Sequence, residues 1–115
     1  MLRLSEQYLI RAEARAQQGD LIGAKEDLNV VRNTAGLGNT MAITANEIVT
    51  AVIAERRFEF FTEMGMRFFD LQRTGNLDST LSIVKPGWNS TDQYWPIPQS
   101  ELLINPNLAP QNAGY

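Results

Sequence analysis

The sequence predicts an all-α fold with a tetratricopeptide-like helical hairpin, a long third helix and an irregular C-terminal strap rich in Pro and Asn. Apolar residues in the first half recur three and four positions apart, as they do on one face of a helix. Gly and Asp interrupt this pattern where one helix would end and the next begin. All five prolines lie from Pro86 onward, where they exclude a continuous helix.

The hairpin is predicted over residues 4–36. Its first helix contains no Gly or Pro up to Gly19, and Asp20 is in position to cap the second helix, which ends at Gly36. This length is about one tetratricopeptide-like unit of roughly 34 residues, and a single unit cannot bury its own apolar face. We therefore expect neighbouring helices to lie outside this chain.

The third helix is predicted to begin with a capping box formed by Thr44 and Glu47. It would continue through Met64 until Gly65 breaks it, and a short helical turn would follow, so that this region spans residues 45–74. Charged residues in this region fall on the same face as the apolar ones. This pattern raises the question of whether they perform chemistry or stabilise the fold.

Glu59 and Glu63 could form a catalytic carboxylate pair, as in glycoside hydrolysis. However, residues four apart on one helix lie only about 5–6 Å apart at Cβ, whereas catalytic carboxylates face each other across a substrate cleft. Buried charges persist when they are paired, and Arg suits forked pairing with carboxylates. We therefore predict that these residues form a structural ion network and not a catalytic pair. The predicted members of the network are Arg56, Glu59, Glu63, Arg67, Asp70 and Arg73.

The strap is predicted over residues 75–115. Pro96 and Pro98 favour an extended "YWPIP" segment, after which Pro98 begins a short helical turn. Trp88 lies in the loop "KPGWNS" and is expected to be the most exposed of Trp88, Tyr94 and Trp95. An exposed Trp could stack on a sugar ring, so Trp88 is a candidate ligand-binding residue; the alternative is that these rings are packing anchors.

Composition excludes several functional classes. The chain has no Cys and no His, which removes thiol nucleophiles, Ser-His-Asp triads and the commonest zinc ligands. Neither a metal nor another cofactor is expected. The net charge of −3 gives no basic field for nucleic acid, so nucleic acid is not expected as a partner. The first residues lack the pattern of a secretory signal, which an exported parent could carry upstream.

Three segments resemble the C-terminal region of the SusD/RagB family of outer-membrane nutrient-binding lipoproteins. The hairpin "YLIRAEARAQQGD…AKEDLNVVRNTAGL" is similar to that family's helical hairpin. The segment "IAERRFEFFTEMGMRFFDLQRTG" is similar to its charged signature, and "YWPIPQSEL…NPNLAPQNAGY" to its closing motif. The signature positions that match are Glu55, Arg56, Arg57, Glu59, Glu63, Gly65, Arg67, Asp70, Leu71 and Arg73.

The resemblance implies that residues 1–115 are the C-terminal part of a larger, mostly helical domain several times longer than this chain. It also implies a binding protein and not an enzyme. Members are anchored by an N-terminal lipid at the surface of the outer membrane, where they deliver glycans or other nutrients to a SusC-like TonB-dependent transporter. The anchor would lie upstream of this chain. The family's ligand site lies largely outside the matching segments, so the resemblance assigns no sugar-binding residue here. The alternative function is a stand-alone tetratricopeptide-like protein-interaction module.

Overall fold

A computed structural model describes residues 3–115, and within that range all regular structure is helical. The six α-helices are α1 (Leu4–Gln17), α2 (Leu21–Thr34), α3 (Ala45–Glu59), α4 (Met66–Arg73), α5 (Leu77–Val84) and α6 (Gln99–Ile104). Two short 3₁₀ helices span Ser90–Gln93 and Pro106–Leu108. The chain forms two compact units, and the boundary falls between Arg67 and Phe68. In residues 3–115, no helix combines the length and the apolar character that crossing a membrane requires.

In the first unit, α1 and α2 form the predicted hairpin and α3 packs against both helices. The core lies where the three helices meet, and its largest fully buried side chains are Leu9, Leu28, Ile48 and Val52. Ala12 and Ala24 are also fully buried. Small side chains at these positions allow the helices to approach closely, so the alanine-rich pattern of the first helix serves its packing.

The hairpin turn follows the sequence prediction. Gly19 adopts a φ of +87°, which favours Gly because it has no Cβ. The Asp20 carboxylate then accepts a hydrogen bond of 3.0 Å from the Gly23 N–H, which confirms the predicted cap of α2. A Cβ at position 23 would collide with that carboxylate. The sequence "GDLIG" therefore encodes both the turn and its cap.

The third helix begins as predicted and ends earlier than predicted. The Glu47 N–H donates to Thr44 Oγ1, while Glu47 Oε2 accepts from the N–H groups of Thr44 and Ile43 at 3.0 and 2.8 Å. The capping box is thus confirmed. The prediction of a helix through Met64 is wrong, because α3 ends at Glu59. Aromatic and β-branched residues with weaker helix propensity follow that point, and Thr62 adopts a positive φ of 62°.

The second unit contains more helix than the sequence indicated. Helix α5 lies within the segment predicted as an irregular strap, and its N-cap Asn76 makes no capping hydrogen bond with its side chain. Helix α6 begins directly after Pro98, as predicted. The chain leaves α5 through a turn in which the Trp88 N–H donates to the Lys85 carbonyl at 3.2 Å.

Side chains of the last five residues hold the extended "YWPI" segment, and we call residues 111–115 the latch. The Gln111 side chain accepts from the Ile97 N–H at 2.7 Å and donates to the Ile97 carbonyl at 2.8 Å. Asn112 donates to the Trp95 carbonyl at 2.6 Å, and Tyr115 donates to the Tyr94 carbonyl at 3.0 Å. These contacts replace the backbone partners that an extended segment would otherwise find in a sheet.

Candidate functional site

The first charged cluster joins α1 to α2 through a buried carboxylate. Asp27 is only 3% exposed. It accepts hydrogen bonds from Arg11 Nε and Nη2 at 2.8 and 2.7 Å and from Arg15 Nη1 at 2.8 Å. The bond with Asp27 and the charge of Asp27 raise the pKa of Arg11 above its ordinary value. Because Asp27 is enclosed and accepts from arginines of α1, it joins the two helices of the hairpin.

A second cluster joins α2 to α3. Glu55 is buried, and its Oε2 lies 3.1 Å from Nη1 of Arg32. The same arginine donates through Nε to the Gly38 carbonyl at 2.9 Å. Arg32 therefore fixes the loop after α2 and pairs with the buried carboxylate of α3. Sequence reasoning recognised Glu55 only as a position in the family signature and missed its partner.

The predicted ion-network residues of α3 and the following turn have different surroundings. Arg56 is 6% exposed, and its guanidinium lies 5.2 Å from the centroid of the Phe60 ring. Glu59 and Glu63 are half-buried. Glu63 Oε1 lies 2.6 Å from Nη2 of Arg3, a partner that the sequence analysis does not name. The Glu59 backbone carbonyl accepts a long hydrogen bond of 3.5 Å from the same arginine.

The remaining network residues lie on α4. Asp70 is 4% exposed, and its Oδ1 accepts from Arg73 Nε at 3.0 Å and from Nη2 at 2.9 Å. Arg67 is half-buried near the start of the helix. That all six residues act as one network stays a prediction.

Trp88 differs from the sequence expectation. It was predicted to be the most exposed of three aromatic residues, but it is half-buried, whereas Trp95 is 84% exposed and Tyr94 is 50% exposed. The Trp88 Nε1–H donates to Asp78 Oδ1 at 2.8 Å. The Lys85 ammonium lies 5.3 Å from the centroid of the Trp88 ring. The indole is thus fixed by two neighbours, neither of which is adjacent to it in sequence.

A pocket of about 430 Å³ lies beside this indole. Helix α5 contributes Asp78, Ser79 and Ser82 to its wall, and the following loop contributes Trp88 and Ser90. The pocket therefore combines one aromatic ring with one carboxylate and three hydroxyl groups. Across residues 3–115, no cluster of three or more acidic side chains has an arrangement that could hold a metal ion.

The first unit is a helical scaffold in which buried carboxylates are paired with arginines, and the second unit presents a polar and aromatic pocket. These features define a helical protein whose charged signature residues take part in packing. The model of the SusD family matches residues 1–93. The chain belongs to the SusD family, which confirms the resemblance seen in the sequence.

Two solved structures are similar to the chain over nearly its whole length. A SusD-like protein from Bacteroides fragilis matches 99% of this chain with a TM-score of 0.77 and 27% identity. Surface glycan-binding protein A from Bacteroides uniformis matches 97% of it with a TM-score of 0.78 and 34% identity. The chain spans 25% and 27% of the lengths of these two proteins, respectively. A search of curated protein sequences gave no significant match.

Proposed function

We propose that this chain is the C-terminal part of a cell-surface glycan-binding lipoprotein that delivers its ligand to a SusC-like TonB-dependent transporter. The observation that carries the proposal is the 34% identity over 97% of the chain with a surface glycan-binding protein, together with membership of the SusD family. The protein would bind its ligand without chemical conversion. It would be held at the outer membrane by an N-terminal lipid outside this chain.

The surroundings of the buried carboxylates support a binding protein over a hydrolase. A glycosidase needs two carboxyl groups that face a sugar from opposite sides, about 5–9.5 Å apart depending on mechanism. In this chain, the buried Asp27 and Glu55 are instead engaged by arginines of neighbouring helices. A carboxylate whose oxygens already accept hydrogen bonds from arginines has less capacity left to bind a sugar hydroxyl group.

The exposed apolar surface of the hairpin supports a larger parent protein. Leu4 and Ile22 are 73% and 77% exposed on α1 and α2. In proteins built from stacked helical hairpins, such residues are covered by the adjacent hairpin. The solved structures are about four times as long as this chain, since it spans 25% and 27% of them. Those lengths leave room for the helices that would cover this face.

Binding is tested by screening the purified full-length protein, without its lipid, against immobilised neutral and anionic polysaccharides. The expected result is retention on at least one glycan, with retention lost in excess free oligosaccharide of the same type. A heat-unfolded sample of the same protein is the control for non-specific adhesion to the immobilised polysaccharides. If no glycan in a broad panel retains the folded protein, glycan binding is wrong.

Delivery to a transporter is tested separately in the native bacterium. A tag at the C-terminus of the full-length protein would be used to purify complexes from detergent-extracted outer membranes. The expected co-purifying protein is a TonB-dependent transporter in a near-equimolar amount. A tagged, unrelated surface lipoprotein is the control. If the tagged protein is recovered alone under conditions that retain other outer-membrane complexes, the transporter part of the proposal is contradicted, whatever the result of the glycan screen.

A further inference from the structure

We infer that the pocket beside Trp88 is a subsite for a neutral sugar ring. The inference rests on the proposed function and assigns part of glycan recognition to this chain. The pocket is formed entirely within the second unit, from α5 and the loop that follows it. It is a shallow, open depression of about 430 Å³, and four of its five lining residues are exposed, so it would contact one side of a sugar ring and leave the other side in water.

The local sequence explains why an indole lies against α5. Lys85, Pro86, Gly87 and Trp88 form a turn closed by the 3.2 Å hydrogen bond from the Trp88 N–H to the Lys85 carbonyl. Pro suits the second position of such a turn, and Gly suits the third, where φ is positive; Gly87 has a φ of +84°. The turn reverses the chain at the end of α5. It thereby brings the Trp88 side chain back to the first turn of that helix, where Asp78 accepts its Nε1–H.

Asp78 and Ser82 are four residues apart on α5 and therefore share one helix face. The Trp88 Nε1–H donates a hydrogen bond of 2.8 Å to one carboxylate oxygen of Asp78, Oδ1. The other oxygen, Oδ2, accepts no hydrogen bond from a side chain in residues 3–115. A carboxylate oxygen is an acceptor only, and Asp78 is exposed to water, so a ligand that covers this oxygen has to bring a donor to replace the water. Hydroxyl groups of Ser82 and Ser90 supply both donors and acceptors around it, whereas the Ser79 hydroxyl donates to the Asn76 carbonyl at 3.2 Å and offers an acceptor only.

This combination favours a neutral polyhydroxylated ring. Sugar hydroxyl groups can donate to Asp78 and exchange hydrogen bonds with the serines, and the C–H face of the ring can lie on the apolar indole. The Asp78 carboxylate repels an anionic ligand and the Lys85 ammonium, 5.3 Å from the centroid of the Trp88 ring, repels a cationic one, so the two charges together give no net preference for a charged ligand. A purely aromatic ligand could contact the indole, but it would remove the carboxylate from water without giving it a donor, which is costly. The fixed orientation of Trp88 lowers the ordering cost of binding.

The test uses titration calorimetry of the full-length protein with four probes: maltohexaose, xylohexaose, mannohexaose and cellohexaose. Trp88→Ala removes the ring, and Ser82→Tyr fills the pocket from an exposed position on α5. Each is expected to weaken binding of the recognised oligosaccharide by at least about tenfold, the scale of a residue at the centre of an interface. Trp95→Ala and Ile83→Tyr are matched controls, because Trp95 is 84% exposed and Ile83 is 83% exposed, and neither lines the pocket. Both controls should keep the wild-type affinity within about twofold.

The outcomes separate the subsite from the proposed function. If the wild-type protein binds an oligosaccharide and Ser82→Tyr binds it equally well while folded, the subsite is refuted and glycan binding stands. If both controls weaken binding as much as the two pocket variants, the subsite is also refuted. Should the wild-type protein bind none of the four probes nor any glycan of the broader panel, both inferences fail. The melting temperature of each variant shows whether a loss of oligosaccharide binding comes from unfolding. If Trp88→Ala does not fold, the binding of Ser82→Tyr alone decides whether the pocket is a subsite.

Discussion

Replacing Asp27 with Ala should destabilise the hairpin strongly, because this carboxylate is the buried centre of the contact between α1 and α2. It is 3% exposed and accepts three hydrogen bonds of 2.7–2.8 Å from Arg11 and Arg15. Removing one partner of a buried ion pair costs about 3–5 kcal/mol when the other partner stays buried. The arginine side chains here retain 55% and 33% exposure, so water can solvate them in the variant.

We therefore expect Asp27→Ala to lower the free energy of unfolding by about 2–3 kcal/mol, below the cost for a fully buried pair. For a chain of this size, about 1 kcal/mol corresponds to roughly 4 °C in melting temperature. The expected loss is thus about 8–12 °C. Added salt should change this loss of melting temperature little, because salt screens a buried carboxylate less than a surface carboxylate.

The assay is thermal and urea unfolding of the 115-residue chain, followed by circular dichroism. Glu26→Ala is the matched control, because Glu26 is the neighbouring acid on α2 and is exposed. It changes the net charge by the same amount, and its effect should stay within about 0.5 kcal/mol. If the two substitutions lower the stability equally, the reasoning is refuted, because the change in net charge would then explain the loss and the buried contact would not.

Three further substitutions test other contacts. Glu55→Ala should destabilise the chain by about 2–3 kcal/mol in urea unfolding, because it removes the buried partner of an arginine, while the exposed control Arg57→Ala should change stability by less than about 0.5 kcal/mol. The backbone N–H groups of Thr44 and Ile43 lower the pKa of Glu47. The charged form of Glu47 therefore stabilises the fold at pH values above its unfolded pKa of about 4.3. This stabilisation is lost as the pH falls through the lower pKa of Glu47 in the folded protein. Wild type should therefore melt above Glu47→Gln at pH 7, and the difference should shrink as pH falls below about 4.3; a difference that is independent of pH would contradict this. Gln111→Ala should speed hydrogen exchange at the Ile97 amide by at least about fivefold, as expected for a lost hydrogen bond of about 1 kcal/mol, and unchanged exchange would show that the latch does not hold this segment.

Local sequence patterns predicted the parts of the fold that depend on local interactions. The hairpin turn follows from Gly19 and Asp20, and the start of α3 follows from Thr44 and Glu47. In each case, the residues that determine the structure lie within a few positions of one another. Apolar spacing also placed Leu28 in the core, because one face of an amphipathic helix must be buried.

The parts that the sequence did not predict depend on partners distant in the chain. The buried pairs of Asp27 with Arg11 and of Glu55 with Arg32 span 16 and 23 residues, and no local pattern selects those partners. Trp88 was expected to be the most exposed of three aromatic residues because it lies in the loop "KPGWNS", but a hydrogen bond to Asp78, ten residues earlier, holds it against α5.

The end of α3 and the existence of α5 were missed for a related reason. Helical periodicity continues beyond Glu59, although Thr62 adopts a positive φ. Periodicity reports which faces are apolar, and it does not report where a chain turns. In α5, Ser, Thr and Val are common and no side chain caps the first turn, so the usual helix signals are weak.

Titration of the full-length protein with intact oligosaccharides, followed by mass spectrometry of the recovered sugar, tests the central claim most directly. That claim is that the protein binds glycans and leaves them unchanged, while the charged signature of this chain stabilises the fold. The account predicts saturable binding of at least one oligosaccharide, which is recovered at its original length after prolonged incubation. Recovery of shortened products, or the absence of saturable binding across the panel, would contradict it.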